Sequence, residues 1–178
     1  MTSIAMIEAA RQRIGDQARR TPLLSSHFLD EIAGRKILVK AECLQRTGSF
    51  KFRGGWSAVS ALDPHVRSRG VIAFSSGNHA QGVAHAAALH GVPSVIIMPA
   101  DAPKIKIDNT RAFGAEVVLF DRAKDDRDAL GARLASERQL TLIKPFDEPQ
   151  VIAGQGTVGL EIAEQAAELG IQKADVLI

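Results

Sequence analysis

The amino-acid sequence predicts an α/β protein with an open parallel sheet and flanking helices. Four short segments rich in apolar and β-branched residues are typical of strands that are buried on both faces. They span residues 71–74, 94–98, 116–120 and 141–143. Segments with helical spacing separate them, at residues 78–89, 104–113 and 124–138. The strand-to-strand repeat of a little over twenty residues is typical of βαβ units, which place parallel strands in one sheet.

The segments on either side of this core continue the same pattern. Thr21 and Pro22 end the first helical segment, because the residue before a proline is driven into an extended conformation. Gly48 and Ser49 are predicted to form a turn and an N-cap that open a further helix. These flanking elements are helices at residues 4–19, 49–62 and 151–169 and strands at residues 37–39 and 175–178.

The sequence stops within the last of these predicted strands. An unpaired apolar strand at a terminus exposes backbone groups that promote aggregation. We therefore expect the sequence to be the N-terminal portion of a considerably longer chain.

Composition excludes several classes of protein. Hydrophobic residues make up 46% of the 178 residues, which is enough for a sizeable core, and the net charge is only +2. No dense run of Lys and Arg predicts a nucleic-acid partner, and no apolar run is long enough for a membrane span. Cys43 is the single cysteine, so there is no internal disulfide and no cysteine cluster for a metal. We expect a cytoplasmic protein.

Lys51 occupies a position in which lysine is a poor structural choice. It lies in the first turn of a predicted helix, between Phe50 and Phe52. The helix dipole disfavours an ammonium there by about 0.3–1 kcal/mol, and the same field lowers the pKa of the amine. A lysine with a lowered pKa suits nucleophilic attack on a carbonyl group. On spacing alone, a surface lysine that extends into water between two phenylalanines is an equally good interpretation.

The turn at residues 75–79 is a candidate anion site. It follows a predicted strand and opens a helix, so backbone N–H groups and the helix dipole point to one place. Its residues are Ser75, Ser76, Gly77, Asn78 and His79. An ordinary strand–helix turn capped by Asn78 is the alternative. His85 and His90 are interpreted as helix-face residues, because no carboxylate or cysteine accompanies them at metal-ligand spacing.

A glycine pattern at residues 154–159 matches G-x-G-x-x-G, the pattern of dinucleotide-binding loops. That pattern binds a dinucleotide only when a strand precedes it and an acidic residue ends the next strand. Here a turn at residues 146–150 precedes it, and Asp175 begins the next predicted strand. We therefore interpret the pattern as the opening of a helix.

Four ordered motifs resemble those of the serine/threonine dehydratases, a family that depends on pyridoxal phosphate and includes serine racemase. The motifs are TPL at 21–23, KAECLQRTGSFKFRG at 40–54, SSGNHAQG at 75–82 and VIAGQGT at 151–157. The resemblance runs along the whole chain. It implies the tryptophan-synthase-β-like fold (fold-type II), with the C-terminal part of the larger domain missing.

The resemblance also implies roles for individual residues. Lys51 would bind the cofactor pyridoxal 5'-phosphate covalently and exchange the substrate's Cα proton, and Phe50 would contact the cofactor. Asn78 would hydrogen-bond the ring oxygen of the cofactor. The residues of the 75–79 turn would hold the substrate carboxylate. Ser76 would be a second acid/base group on the face opposite the lysine, as the matching serine is in serine racemase. Many threonine dehydratases have alanine at this position.

Two domains follow from the resemblance. Residues 1–48 and 144–178 are expected to be an incomplete portion of the larger cofactor domain. Residues 49–143 are expected to form the smaller parallel α/β domain with the lysine and the carboxylate turn. Because a phosphate-binding loop would follow residue 178, we expect little or no turnover from this chain alone, and homo-oligomer formation is left open.

The expected reaction is conversion of a β-hydroxy-α-amino acid to a 2-oxo acid and ammonia. Cys43 and Lys144 depart from the family pattern, which more often has asparagine and histidine there, and they leave the substrate open. β-Replacement enzymes of the same fold are one alternative, although their lysine segment usually reads asparagine-proline-x-glycine-serine-x-lysine-aspartate, whereas residues 46–53 of this chain follow the dehydratase form. An amino-acid racemase is another, and a non-catalytic fragment that acts through association is a third.

Overall fold

The structure is a computed structural model that describes residues 2–176. Its helices are α1 (Ile4–Ile14), α2 (His27–Ala33), α3 (Lys51–Ser60), α4 (Pro64–Ser68), α5 (Asn78–Leu89), α6 (Lys104–Ala112), α7 (Arg127–Arg138) and α8 (Pro149–Glu168). Its strands are β1 (Leu23–Ser25), β2 (Leu38–Lys40), β3 (Val71–Phe74), β4 (Ser94–Pro99), β5 (Glu116–Phe120) and β6 (Thr141–Leu142). Three short 3-10 turns lie at Gly15–Gln17, Glu42–Leu44 and Arg46–Gly48.

The predicted parallel sheet is confirmed. Four strands lie in the order β5-β4-β3-β6, and every neighbouring pair is parallel. Val71 is paired with Ser94 on one side and with Thr141 on the other. The central strand β4 is buried along its whole length. The two edge strands are not, because Glu116 and Leu119 of β5 and Leu142 of β6 are exposed, so the prediction of burial on both faces is wrong for both edge strands.

The N-terminal region contains structure that the sequence did not predict. A two-stranded antiparallel sheet pairs Leu23 with Lys40 and Ser25 with Leu38. Only β2 was expected, one residue earlier than it occurs. Helices α2 and α4 were missed because each is shorter than two full turns and has no long apolar period.

Several predicted element ends are corrected. Helix α1 ends at Ile14 rather than at residue 19, because Gly15 takes a positive φ of 46°. Helix α7 begins at Arg127 rather than at residue 124, where the Asp126 side chain accepts hydrogen bonds from two backbone N–H groups. The last predicted strand is not formed at Asp175 and Val176, and its other two residues lie outside the described part of the chain.

The G-x-G-x-x-G pattern lies inside α8, as the sequence interpretation required. A Cβ atom on Gly154 would collide with the carbonyl oxygen of Arg53 in α3. A Cβ on Gly156 would lie 2.8 Å from the Ile7 side chain of α1, whereas a Cβ on Gly159 would meet nothing within 4 Å. Two of the three glycines therefore allow close packing of helices rather than contact with a phosphate.

A buried ionic cluster holds α3 and α8 to the N-terminal region. The Arg53 side chain is only 1% exposed and forms salt bridges with Glu42 and Glu161. Lys40 donates to Glu161 at 2.6 Å and to Gln165 at 2.7 Å. Burial raises the pKa of Glu161, but the hydrogen bonds from Arg53 and Lys40 outweigh it and hold that pKa below its ordinary value. Each buried charge is therefore paired, as burial requires.

No helix among residues 2–176 is both long enough and apolar enough to span a membrane.

Candidate functional site

Lys51 is the first residue of α3, and the helix begins slightly later than expected. Phe50 occupies the N-cap position, with no side-chain cap. Ser49 is therefore not the N-cap. Its hydroxyl is buried and has no hydrogen-bond partner among the described residues, and the same is true of the Thr47 hydroxyl. Two polar atoms on the segment leading to Lys51 are thus left without a partner, which is costly inside a protein.

The Lys51 amine is half-buried and points toward the segment that follows β6. Its Nζ donates a hydrogen bond to the carbonyl oxygen of Pro145 at 3.1 Å and lies 5.2 Å from the centre of the Phe50 ring. Burial lowers the pKa of Lys51, because an ammonium loses hydration there. The direction agrees with the prediction. The cause is burial, where the sequence argument invoked the helix dipole.

The 75–79 turn joins the end of β3 to the start of α5. The Ser75 backbone N–H donates to Ile97 of β4 at 3.2 Å, and the Ser75 hydroxyl accepts from the Gly77 N–H at 3.1 Å. Gly77, not Asn78, is the N-cap of α5, and no side chain caps it. Ser76 and Asn78 are exposed. The turn therefore presents the uncapped N-terminus of a twelve-residue helix beside two polar side chains.

His79 is buried, unlike its neighbours in the turn, with an exposure of 3%. Its Nε2 atom lies 3.2 Å from the carbonyl oxygen of Ile143, while Nδ1 has no partner among the described residues. Burial lowers the pKa of His79 to about 4; the Ile143 carbonyl raises it and the positive charge of Lys51 lowers it. The imidazole is therefore neutral at neutral pH, and its Nε2 donates to Ile143.

Close helix packing brings this turn to the lysine. A Cβ on Gly82 of α5 would lie 2.8 Å from the carbonyl oxygen of Lys51, and a Cβ on Gly55 would lie 2.8 Å from the carbonyl oxygen of Gly82. The two backbones touch where α3 begins. Lys51 and His79 also bind the same segment, through the carbonyls of Pro145 and Ile143.

The sequence missed one contact beside the turn. Lys106 of α6 donates a hydrogen bond to the Asn78 Oδ1 atom at 2.8 Å. Lysine near the start of a helix is common on protein surfaces, so no sequence signal marked it.

The residues around Lys51 suit a cofactor that carries an aldehyde. The half-buried amine has a lowered pKa, and only a neutral amine attacks a carbonyl carbon. The buried polar atoms on Ser49, Thr47 and His79 lack partners among the described residues. The lysine side of the site therefore fits such a group. No group of three or more His, Cys, Asp or Glu residues in the described part could hold a metal ion.

Comparisons with known proteins identify the family. The profile of the pyridoxal-phosphate dependent enzyme family matches residues 14–178. The chain is 50% identical over 155 residues to an L-threo-3-hydroxyaspartate ammonia-lyase from Pseudomonas, covering 87% of this chain and 49% of that protein. It is 42% identical to an L-threonine ammonia-lyase from Thermotoga maritima, covering 96% of this chain and 43% of the relative.

The fold is similar to that of maize serine racemase, with a TM-score of 0.90 and 40% identity. That comparison covers 94% of this chain and 51% of the racemase, so the chain spans about half the length of the relatives that it matches. The predicted fold class, fold-type II, is confirmed by these structural neighbours. The chain belongs to the pyridoxal-phosphate dependent enzyme family.

Proposed function

We propose that the protein is an ammonia-lyase that converts a β-hydroxy-α-amino acid to a 2-oxo acid and ammonia. The observation that carries the proposal is the half-buried Lys51 amine with its lowered pKa, on a helix whose backbone touches α5 at Gly82. The ammonia-lyase relatives support the reaction class. Threonine, serine and 3-hydroxyaspartate all fit this substrate class.

Each side chain of the site has a proposed role. Pyridoxal phosphate, when bound to Lys51, supplies an electron sink for the charge left on the substrate's Cα atom. The Lys51 amine removes the Cα proton, and its contact with Pro145 O orients it. Backbone N–H groups of the 75–79 turn bind the substrate carboxylate, which the positive end of the α5 dipole also attracts. Phe50 would contact the cofactor ring, and Asn78 would donate to its ring oxygen.

A racemase activity is the second candidate, because Ser76 presents an exposed hydroxyl in this turn. A hydroxyl on the face opposite Lys51 returns a proton to Cα from the other side. The likeness to maize serine racemase supports this candidate.

The division into domains is also a proposal. Residues 49–143 include the whole parallel sheet, helices α3 to α7 and the 75–79 turn. Residues 1–48 and 144–178 would belong to the second, cofactor-binding domain, and α1 and α8 are neighbours within it. The antiparallel pair β1–β2 is separate from the parallel sheet, which supports this division. Cytoplasmic location and self-association into a homo-oligomer remain proposals of the same kind.

The test uses the purified chain with added pyridoxal phosphate and a panel of amino acids. Serine, threonine and L-threo-3-hydroxyaspartate are each incubated with the parent and with Lys51→Arg, which keeps the charge. Because we expect little or no turnover from this chain alone, any 2-oxo acid and ammonia should form slowly, in a one-to-one ratio and only with the parent. Chiral analysis of the remaining amino acid detects racemisation, which Ser76→Ala should abolish if the second candidate is right. Measurable product that forms equally with the parent and with Lys51→Arg would contradict the proposal.

A further inference from the structure

Lys106 makes a contact that helix electrostatics does not favour. It is half-buried in the first turn of α6, and its Nζ reaches Asn78, the first residue of α5. The N-terminus of α5 carries partial positive charge, so an ammonium placed there is disfavoured by the helix dipole. The contact therefore does not stabilise α5 in the ordinary way, but it does constrain the Asn78 side chain.

The contact determines which way the Asn78 amide faces. The oxygen and nitrogen of a side-chain amide are often hard to tell apart in a structure. Here the partner settles the assignment, because an ammonium has three donors and no acceptor. Oδ1 must face Lys106, and the Nδ2 group must point elsewhere. In the described part of the chain, Nδ2 makes no hydrogen bond to another side chain.

The same arrangement recurs one helical turn further along both helices. Asn109 of α6 donates to the Gln81 oxygen of α5 at 3.4 Å. Gln81 is only 3% exposed, and its Nε2 atom has no partner among the described residues. Helix α6 thus contacts two amides of α5 through their oxygens, and within residues 2–176 neither NH₂ group donates to another side chain.

We propose that Lys106 is a positioning residue that fixes the Asn78 amide with its NH₂ group toward the cofactor. Asn78 then acts only as a donor, so the ring oxygen of pyridoxal phosphate is held as an acceptor. Lys106 acts through Asn78 and need not touch the cofactor. This inference rests on the proposed function, because Asn78 has this role only if the cofactor binds at Lys51.

The first arm of the test needs no cofactor. The side-chain amide signal of Asn78 is followed by ¹H–¹⁵N NMR in the parent, Lys106→Met and Lys106→Arg. Lys104→Met is the matched control, because Lys104 lies in the same turn of α6 and pairs with Asp108 instead. We expect the Asn78 amide signal to shift in Lys106→Met and to stay near its parent position in Lys106→Arg and Lys104→Met. An unchanged signal in Lys106→Met would overturn the proposal.

The second arm measures the dissociation constant for pyridoxal phosphate together with the midpoint of thermal unfolding. Lys106→Met should weaken cofactor binding about tenfold, the order expected for a hydrogen bond to a charged group, with restoration in Lys106→Arg. If cofactor binding weakens only in proportion to a fall in the midpoint of thermal unfolding, Lys106 has a merely structural role and the proposal is overturned. If borohydride fixes no cofactor on Lys51, the proposed function fails, and the NMR arm still decides how Lys106 acts on Asn78.

Discussion

His79 and Lys51 are hydrogen-bonded to carbonyl groups two residues apart, His79 to Ile143 and Lys51 to Pro145. One short segment after β6 therefore holds both the buried imidazole and the candidate reactive amine. Burial is the main cause of the lowered His79 pKa, which keeps the imidazole neutral, and the positive charge of Lys51 lowers that pKa further. The burial of His79 and the chemistry of Lys51 are thus linked through this segment.

The pKa of His79 predicts how stability depends on pH. In the unfolded chain a histidine has a pKa of about 6.5, whereas the folded value is about 4. Between these values the unfolded state binds more protons, so stability falls as pH decreases from 6.5 to 4 and then levels off. The loss is up to about 3 kcal/mol. The free energy of unfolding, measured in urea, should differ less between pH 7 and pH 4.5 in His79→Gln than in the parent. Equal differences would contradict this account of His79.

Gly82→Ala tests the backbone contact between α5 and α3. The added Cβ would lie 2.8 Å from the Lys51 carbonyl oxygen, and neither helix backbone moves easily. We expect a loss of about 1–3 kcal/mol in the free energy of unfolding, typical of overpacking. Chemical denaturation measures it. The displaced Lys51 should also react more slowly with pyridoxal phosphate, and unchanged stability and reactivity would show that the contact is not tight.

Gly154→Ala and Gly159→Ala test whether the glycine pattern of α8 serves helix packing or nucleotide binding. The Gly154 substitution should lower thermal stability, because its Cβ collides with the Arg53 carbonyl. A Cβ added to Gly159 has nothing within 4 Å, so alanine there should stabilise the helix by up to about 1 kcal/mol. Neither variant should alter an affinity for NADH, since we expect none. Specific NADH binding that both substitutions weaken would refute the packing interpretation.

Arg53→Met tests the buried ionic cluster. Removing the guanidinium leaves Glu42 and Glu161 without their main partner, and breaking a buried pair typically costs about 3–5 kcal/mol. The control is Arg138→Met, because Arg138 forms an ion pair with Glu116 in which both side chains are largely exposed. That variant should lose less than about 1 kcal/mol. Similar losses in the two variants, measured by urea unfolding, would show that the buried cluster contributes no more than a surface pair.

The sequence predicted the parts of the fold that have strong periodic signals. Helix α5 was predicted with its observed ends, Asn78 and Leu89, because a strand and a small-residue turn precede it and Gly91 follows it. The pair β1–β2 could not be predicted, because three-residue strands carry too little pattern and their pairing depends on contacts distant in sequence. The edge position of β5 depends on the strand order, which local pattern does not encode.

The candidate site was also predicted only in part from the sequence. Lys51 and the 75–79 turn were identified because their residue types and order are distinctive. The contacts that place them were not, because Pro145 and Ile143 act through backbone carbonyls that every residue possesses. Ser49 was assigned as an N-cap from its residue type, whereas the chain enters α3 through Phe50. Lys106 depends on the packing of α6 against α5, which only the three-dimensional structure reveals.

The most direct test of the central claim is the location of bound cofactor. The purified chain is mixed with pyridoxal phosphate, reduced with borohydride and digested for peptide mass mapping. Because Lys51 has a lowered pKa and its partly buried amine lies in the site, we predict that the label is found on Lys51 and disappears in Lys51→Arg. Labelling spread over the exposed lysines, such as Lys104 and Lys124, with none concentrated on Lys51, would contradict the account.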